Sequence, residues 1–181
     1  MKIAYDLKGF TLIEVLVGIS VVIIATTVVV SLITSAFRTS NKTNSIATVR
    51  QNGSFATGQI SKLLKFADNF EGVSYDNINY ESQCPETGGY YSYIRVRSRG
   101  QLRTIACSNS GITIDGTFLI NTNEVSIIPD SCYLFCSQTA NSLTPIVGID
   151  FRLGLADQNK ADLPEGNVEI DFSTRVKMRN Y

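Results

Sequence analysis

The sequence predicts an α+β protein in which a long N-terminal α-helix, apolar in its first half and amphipathic in its second, carries an antiparallel β-rich head. Three observations predict it. A predominantly apolar run covers Phe10 to Ile33, apolar residues then recur at three- and four-residue spacing as far as Ala67, and short alternating runs separated by turn residues follow. The chain therefore divides into residues 1–9, an apolar helix at 10–33, an amphipathic helical half at 34–67 and a head at 68–181.

At 181 residues the chain has room for one modest domain plus an extra element, and not for two independent cores. Lys+Arg and Asp+Glu both total 16, so no global field points toward nucleic acid or an anionic membrane. Histidine is absent, which removes the commonest general base and the commonest metal ligand. No G-x-S-x-G elbow, phosphate-cradling glycine loop or H-E-x-x-H motif occurs. The expectation is a chain that is not an enzyme and has no cofactor or metal site. Asp150, Glu169 and Asp171 read as single carboxylates, solvated or salt-bridged.

The run from Phe10 to Ile33 is 24 residues long. As a helix it would measure about 36 Å, against a bilayer hydrocarbon thickness of about 30 Å. Its many β-branched residues lean toward strand in water, but in lipid only a helix satisfies each backbone group within the segment. A secretory signal would have a shorter apolar region, about 7 to 15 residues, ending at a small-residue cleavage site. Glu14 lies five residues into the run, where a carboxylate costs about 2.5 to 3.5 kcal/mol at mid-bilayer unless it has a partner. A cut between Gly9 and Phe10 would create an α-amine at the same depth. Glu14 could then pair with the amine of a neighbouring subunit or with its own, four residues away.

Beyond Ile33 a stripe of Ile46, Val49, Gly53, Ala56, Ile60, Leu63, Leu64 and Ala67 faces a core, with Arg50, Gln51, Ser54, Gln59 and Lys62 opposite. One helix is expected from Phe10 to about Phe66. Gly53 and Gly58 each weaken it by about 1 kcal/mol relative to alanine and are where a bend would fall.

In the head, Tyr90 to Arg97 and Gln101 to Cys107 flank Ser98-Arg99-Gly100 as one hairpin, and Gly111 to Asp115 meets Thr117 to Ile120 across Asp115-Gly116 as another. Further strands are expected at Glu124 to Ile128, Cys132 to Cys136, Pro145 to Leu153 and Asn167 to Lys177, with a loop at Ala156 to Gly166. One antiparallel sheet packed on the helix is expected, giving an α+β domain. Arg95, Arg97, Arg99 and Arg103 concentrate in the first hairpin. Arg95 and Arg97 share one face, with Ile94 and Val96 inward. Beside Tyr90, Tyr91 and Tyr93 this basic ridge could contact DNA, or it could be a solvated outer strand face.

The four cysteines, Cys84, Cys107, Cys132 and Cys136, fit disulfides in an oxidising compartment better than a zinc site, because only Cys132 and Cys136 approach knuckle spacing. Three pairings are open. If Cys132 to Cys136 is an extended strand, each must pair with Cys84 or Cys107. If Tyr133 to Phe135 form a turn, Cys132–Cys136 and Cys84–Cys107 result, and the turn is the favoured reading.

Lys8-Gly9-Phe10-Thr11-Leu12-Ile13-Glu14, running directly into the apolar helix, resembles the processing signature of type IV prepilins and pseudopilins. The resemblance implies that residues 1–9 are a leader removed by a prepilin peptidase, that Phe10 becomes an N-methylated first residue and that Glu14 serves filament assembly. Losing Lys2, Lys8 and Asp6 would leave 14 basic and 15 acidic side chains, still close to neutral. Many major pilins carry a proline within the apolar segment, whereas here none occurs before Pro85, nearer to minor pilins and pseudopilins. The Arg50 to Ala67 helix continuation and the closing run from Ser173 to Asn180 are similar in layout to the PilW-like and GspJ-like subgroups.

The implied function is that of a minor pilin or pseudopilin in a type IV pilus or a related secretion or competence filament, near initiation or the tip. The implied partners are other major and minor pilins, the prepilin peptidase, the assembly platform and its ATPase. The chain would be a single-pass protein of the cytoplasmic (inner) membrane with its head outside the cytoplasm, and then part of a cell-surface or periplasmic filament. The alternative is a membrane-anchored head that binds DNA or a surface ligand.

Overall fold

The computed structural model describes Gly9 and residues 11–139, 144–156 and 168–179. Residues 1–8, Phe10 and most of the loop expected at Ala156 to Gly166 lie outside the described residues. The protein is α+β, with one long N-terminal helix and an antiparallel β head. Two compact units divide at Asn41/Lys42.

Helix α1 (Leu12–Lys65) has 54 residues and ends one residue before the expected Phe66. In the first unit its apolar side chains are exposed on every side of the helix, from Leu12 through Ile24 to Phe37. In the second unit the three- and four-residue spacing becomes a buried stripe of Val49, Gly53, Ala56, Ile60 and Leu64, with Ile46 and Leu63 half-buried beside it. Ile60 and Leu64 are fully buried, each removal from water contributing roughly 1.5 to 3 kcal/mol. Gly53 has a packing role: a Cβ there would overlap the Phe172 ring, whereas one on Gly58 would meet nothing within 4 Å.

The head comprises β1 (Asn69–Ser74), β2 (Gly89–Tyr91), β3 (Tyr93–Ser98), β4 (Gln101–Ser108), β5 (Gly111–Ile114), β6 (Thr117–Phe118), β7 (Val125–Ile127), β8 (Tyr133–Ser137), β9 (Ile146–Leu155) and β10 (Glu169–Lys177). They form two sheets where a single sheet was expected. Sheet A runs β1-β3-β4-β5-β6, and sheet B runs β10-β9-β8-β2 with β7 also on β9. The expected strand from Tyr90 to Arg97 is broken at Ser92, where the chain leaves sheet B for sheet A. Ser92 accepts a backbone bond from Cys107 and donates one to Ser74, so its polar groups are satisfied at the crossing.

Both expected hairpins form. Ser98 pairs with Gln101 around Arg99 and Gly100, whose φ values are 53° and 74°, so the first turn has two residues, both left-handed. Ile114 pairs with Thr117 around Asp115 and Gly116, at 52° and 81°. Strand β1 is an addition to the expected set. Its register shifts between Phe70 and Gly72, where Gly72 has φ 143°.

The disulfides are Cys84–Cys136 and Cys107–Cys132, which corrects the favoured pairing. The reason is the geometry of β8: Tyr133 to Ser137 is extended, so Cys132 and Cys136 stand too far apart to bridge each other. Cys107–Cys132 joins β4 of sheet A to the residue preceding β8 of sheet B. Cys84–Cys136 fastens the segment before β2 to β8 itself. All four cysteines are buried.

Candidate functional site

The first unit presents apolar side chains on every side of its helix and few unpaired polar groups among the described residues. Thr11 caps α1: its Oγ1 accepts the Glu14 N–H at 3.3 Å, and Glu14 Oε2 accepts the Thr11 N–H at 3.4 Å. This Thr-x-x-Glu capping box gives the Thr11 N–H a partner and adds a second acceptor for the Glu14 N–H, which also donates to the Thr11 carbonyl at 3.1 Å. The sequence carries the signal as Thr11-Leu12-Ile13-Glu14 before an apolar run, and the charge reading of Glu14 overlooked it.

Further along, the hydroxyl hydrogens turn back onto the helix. Ser20 donates to the Leu16 carbonyl at 2.9 Å, Thr26 to Val22 at 2.7 Å, Thr27 to Ile24 at 2.8 Å, Ser31 to Val28 at 2.8 Å and Thr34 to Val30 at 2.8 Å. Each donor is thereby satisfied without water, which is what lipid or a packed helix bundle requires. The helix is long and apolar enough, by length and composition, to cross a membrane. Glu14 lies in its first turn and Gly9 three residues before Leu12, while Phe10 lies outside the described residues.

The head disperses the arginine cluster. Ile94 and Val96 are fully buried, which leaves Arg95 and Arg97 on the outer face of β3. Arg97 is bound to Glu71 at 2.7 Å, and Arg95 lies over the Tyr80 ring at 3.7 Å. Arg103 is opposite Val96 in the ladder and so belongs to the other face, where it pairs with Asp115 at 2.7 Å. Arg99 occupies the left-handed turn. Of the three tyrosines expected beside the ridge, only Tyr93 shares the strand and face of Arg95 and Arg97. Tyr91 is buried, and Tyr90 lies on sheet B against Tyr133 and Phe135.

The outer face of sheet B holds the carboxylates expected to be solvated or salt-bridged. Asp150 binds Arg175 and Ser173, while Arg152 binds Asp171 at 2.7 Å and Glu169 at 3.6 Å. Burial pushes the Asp150 carboxyl up, but the bonds from Arg175 and Ser173 outweigh it and hold it below its ordinary value. The bond to Asp171 pushes the Arg152 guanidinium further toward its charged form. A cleft of about 400 Å³ beside the Ile128 to Ser131 loop opens onto these groups. In the loop after β1, Asp76 accepts the N–H groups of Asn79 and Ile78 and side-chain bonds from Ser74 and Asn79, which hold its carboxyl far below the usual range.

No family model, curated protein or solved structure matches the chain.

Proposed function

We propose that the chain is a structural subunit, a minor pilin or pseudopilin, of a type IV pilus-like filament. The observation that carries this reading is the first half of α1. It exposes apolar side chains all round, turns its hydroxyl donors inward onto its own backbone, and begins with a carboxylate beside the Gly9-Phe10 signature. Packing such helices side by side moves apolar surface from lipid into a protein bundle and gains close interhelical contact. Glu14 would neutralise the α-amine freed at Phe10 on a neighbour, so assembly is the activity. The prepilin peptidase, the other pilins, the assembly platform and its ATPase are the partners this requires. The Phe10 to Ile33 segment holds the subunit in the cytoplasmic membrane before assembly, with the disulfide-bearing head outside the cytoplasm.

Immunoblotting of filaments sheared from cells tests the reading. Detection of the chain in the sheared fraction, together with other pilins, is expected; its confinement to the membrane fraction under filament-forming conditions would reject it.

A further inference from the structure

β10 is an edge strand, and of the devices that usually blunt an edge it lacks shortness, proline and a bulge, while it carries charged side chains. The other ends of the two sheets are interrupted or short: β1 carries a register shift, β6 has two residues and β2 has three. β10 has nine residues, contains no proline and pairs with β9 without irregularity from Glu169↔Gly154 to Lys177↔Ile146. Among the described residues no strand pairs with its other side. A long regular edge of this kind offers a row of backbone donors and acceptors to an incoming strand.

The side chains specify which strand fits. The outward residues of β10 are, in order, Glu169, Asp171, Ser173, Arg175 and Lys177, and the half-buried ones are Ile170, Phe172, Thr174 and Val176. The charge order is two acids, a neutral centre and two bases, so the strand complements its own reverse. We propose that β10 is a self-association edge, pairing antiparallel with β10 of a second copy so that Ser173 faces Ser173 across a two-fold axis.

In that register Glu169 faces the second copy's Lys177 and Asp171 faces its Arg175. Each pair occurs twice by symmetry, while Ile170 faces Val176 and Phe172 faces Thr174 on the other face. A register displaced by two residues leaves one charged end of β10 without an opposite strand residue. The existing bonds of Asp171 to Arg152 and of Arg175 to Asp150 run to β9 and remain in place, and the incoming strand adds charge neighbours on the free side. Asp171 is 75% exposed, so it has room for a second partner.

The fold also fixes the direction of approach. Gly53 lies against Phe172, and Ser61 bonds Thr174 at 3.0 Å, so Lys42–Lys65 and β10 advance the same way along the sheet. A two-fold axis normal to the sheet reverses that direction in the second copy. The contact therefore joins copies of opposite orientation, so it is separate from the side-by-side packing of the filament reading and does not depend on it.

Sedimentation of the full-length chain in density-matched detergent tests the edge. The unmodified chain should show a concentration-dependent dimer. Lys177→Glu, which sets acid against acid twice, should weaken it about fivefold or more, and Glu169→Lys combined with Lys177→Glu should restore it. Under mild oxidation Ser173→Cys should give a covalent dimer faster than Gln101→Cys on sheet A, with both native bridges intact by peptide mapping. A double charge variant as weak as Lys177→Glu alone, or equal cross-linking at positions 173 and 101, would overturn the proposal.

Discussion

Thr11 and Glu14 hold each other across the first turn of α1, the Glu14 N–H on the Thr11 hydroxyl and the Glu14 carboxylate on the Thr11 N–H, at 3.3 and 3.4 Å. Glu14 thus has a local structural role in addition to the charge pair proposed with the Phe10 amine, and the two are separable. Gln can replace Glu in a capping box but carries no charge. Glu14→Gln should leave the helix start intact and lower incorporation into filaments by at least about tenfold, the loss expected when a partly desolvated charge pair is broken. Thr11→Ala should cost about 1 kcal/mol of helix-start stability and leave incorporation near normal. Quantitative blots of sheared filaments from both variants check this, and normal incorporation of Glu14→Gln would leave Glu14 with the capping role alone.

Gly53 and Gly58 should respond to alanine with opposite signs. Gly58→Ala adds a methyl in open space and should stabilise the head by up to about 1 kcal/mol. Gly53→Ala forces a methyl into the Phe172 ring, which is itself stacked on Phe151 at 5.2 Å, so the ring has little freedom to swing away. Overpacking of this kind costs about 1 to 3 kcal/mol. Urea unfolding of both variants measures the difference, and adding Phe172→Leu to Gly53→Ala should recover part of the loss.

The two bridges should differ modestly in value. By loop entropy, Cys107–Cys132 spans 25 residues and contributes about 3.5 kcal/mol, while Cys84–Cys136 spans 52 and contributes about 4 kcal/mol. Paired Cys→Ser variants, followed by denaturant unfolding, check both. Loss of Cys107–Cys132 should also raise amide exchange in β4 and β8 together, because that bridge ties sheet A to sheet B.

Much of this architecture was legible in the residues. The buried stripe from Val49 to Leu64 follows from spacing, and the left-handed turns at Arg99-Gly100 and Asp115-Gly116 follow from local chemistry. What was not legible depends on partners distant in sequence. Leaving Asn69–Ser74 out of the expected strands hid Glu71, and with it the neutralisation of Arg97. Running Tyr90 to Arg97 as one strand hid the crossing at Ser92, hence the second sheet and the separation of Tyr90 and Tyr91 from the arginines. The disulfide pairing turned on whether Tyr133 to Phe135 extend or turn, and their pairing with β9 and β2 decides that. At the helix start, attention to charge obscured a local cap written in four consecutive residues.

Acid should destabilise the head. Asp76 and Asp150 both have carboxyls held below the ordinary 3.8 in the folded chain. A depressed folded value means the contribution is complete above the unfolded value and is lost as pH falls through the folded one. Thermal melts should therefore be flat above about pH 5 and decline progressively below about pH 4. Asp150→Asn should lower stability at neutral pH, by leaving Arg175 without its counter-charge, and flatten the acid limb; an unchanged limb would remove Asp150 from the account.

The claim on which the functional reading rests is that proteolysis at Gly9 creates the amine that Glu14 neutralises. Intact-mass and N-terminal analysis of the chain recovered from filaments tests it most directly. The account predicts a chain beginning at Phe10 and carrying an N-methyl group. Assembled chains that still begin at Met1 would contradict it.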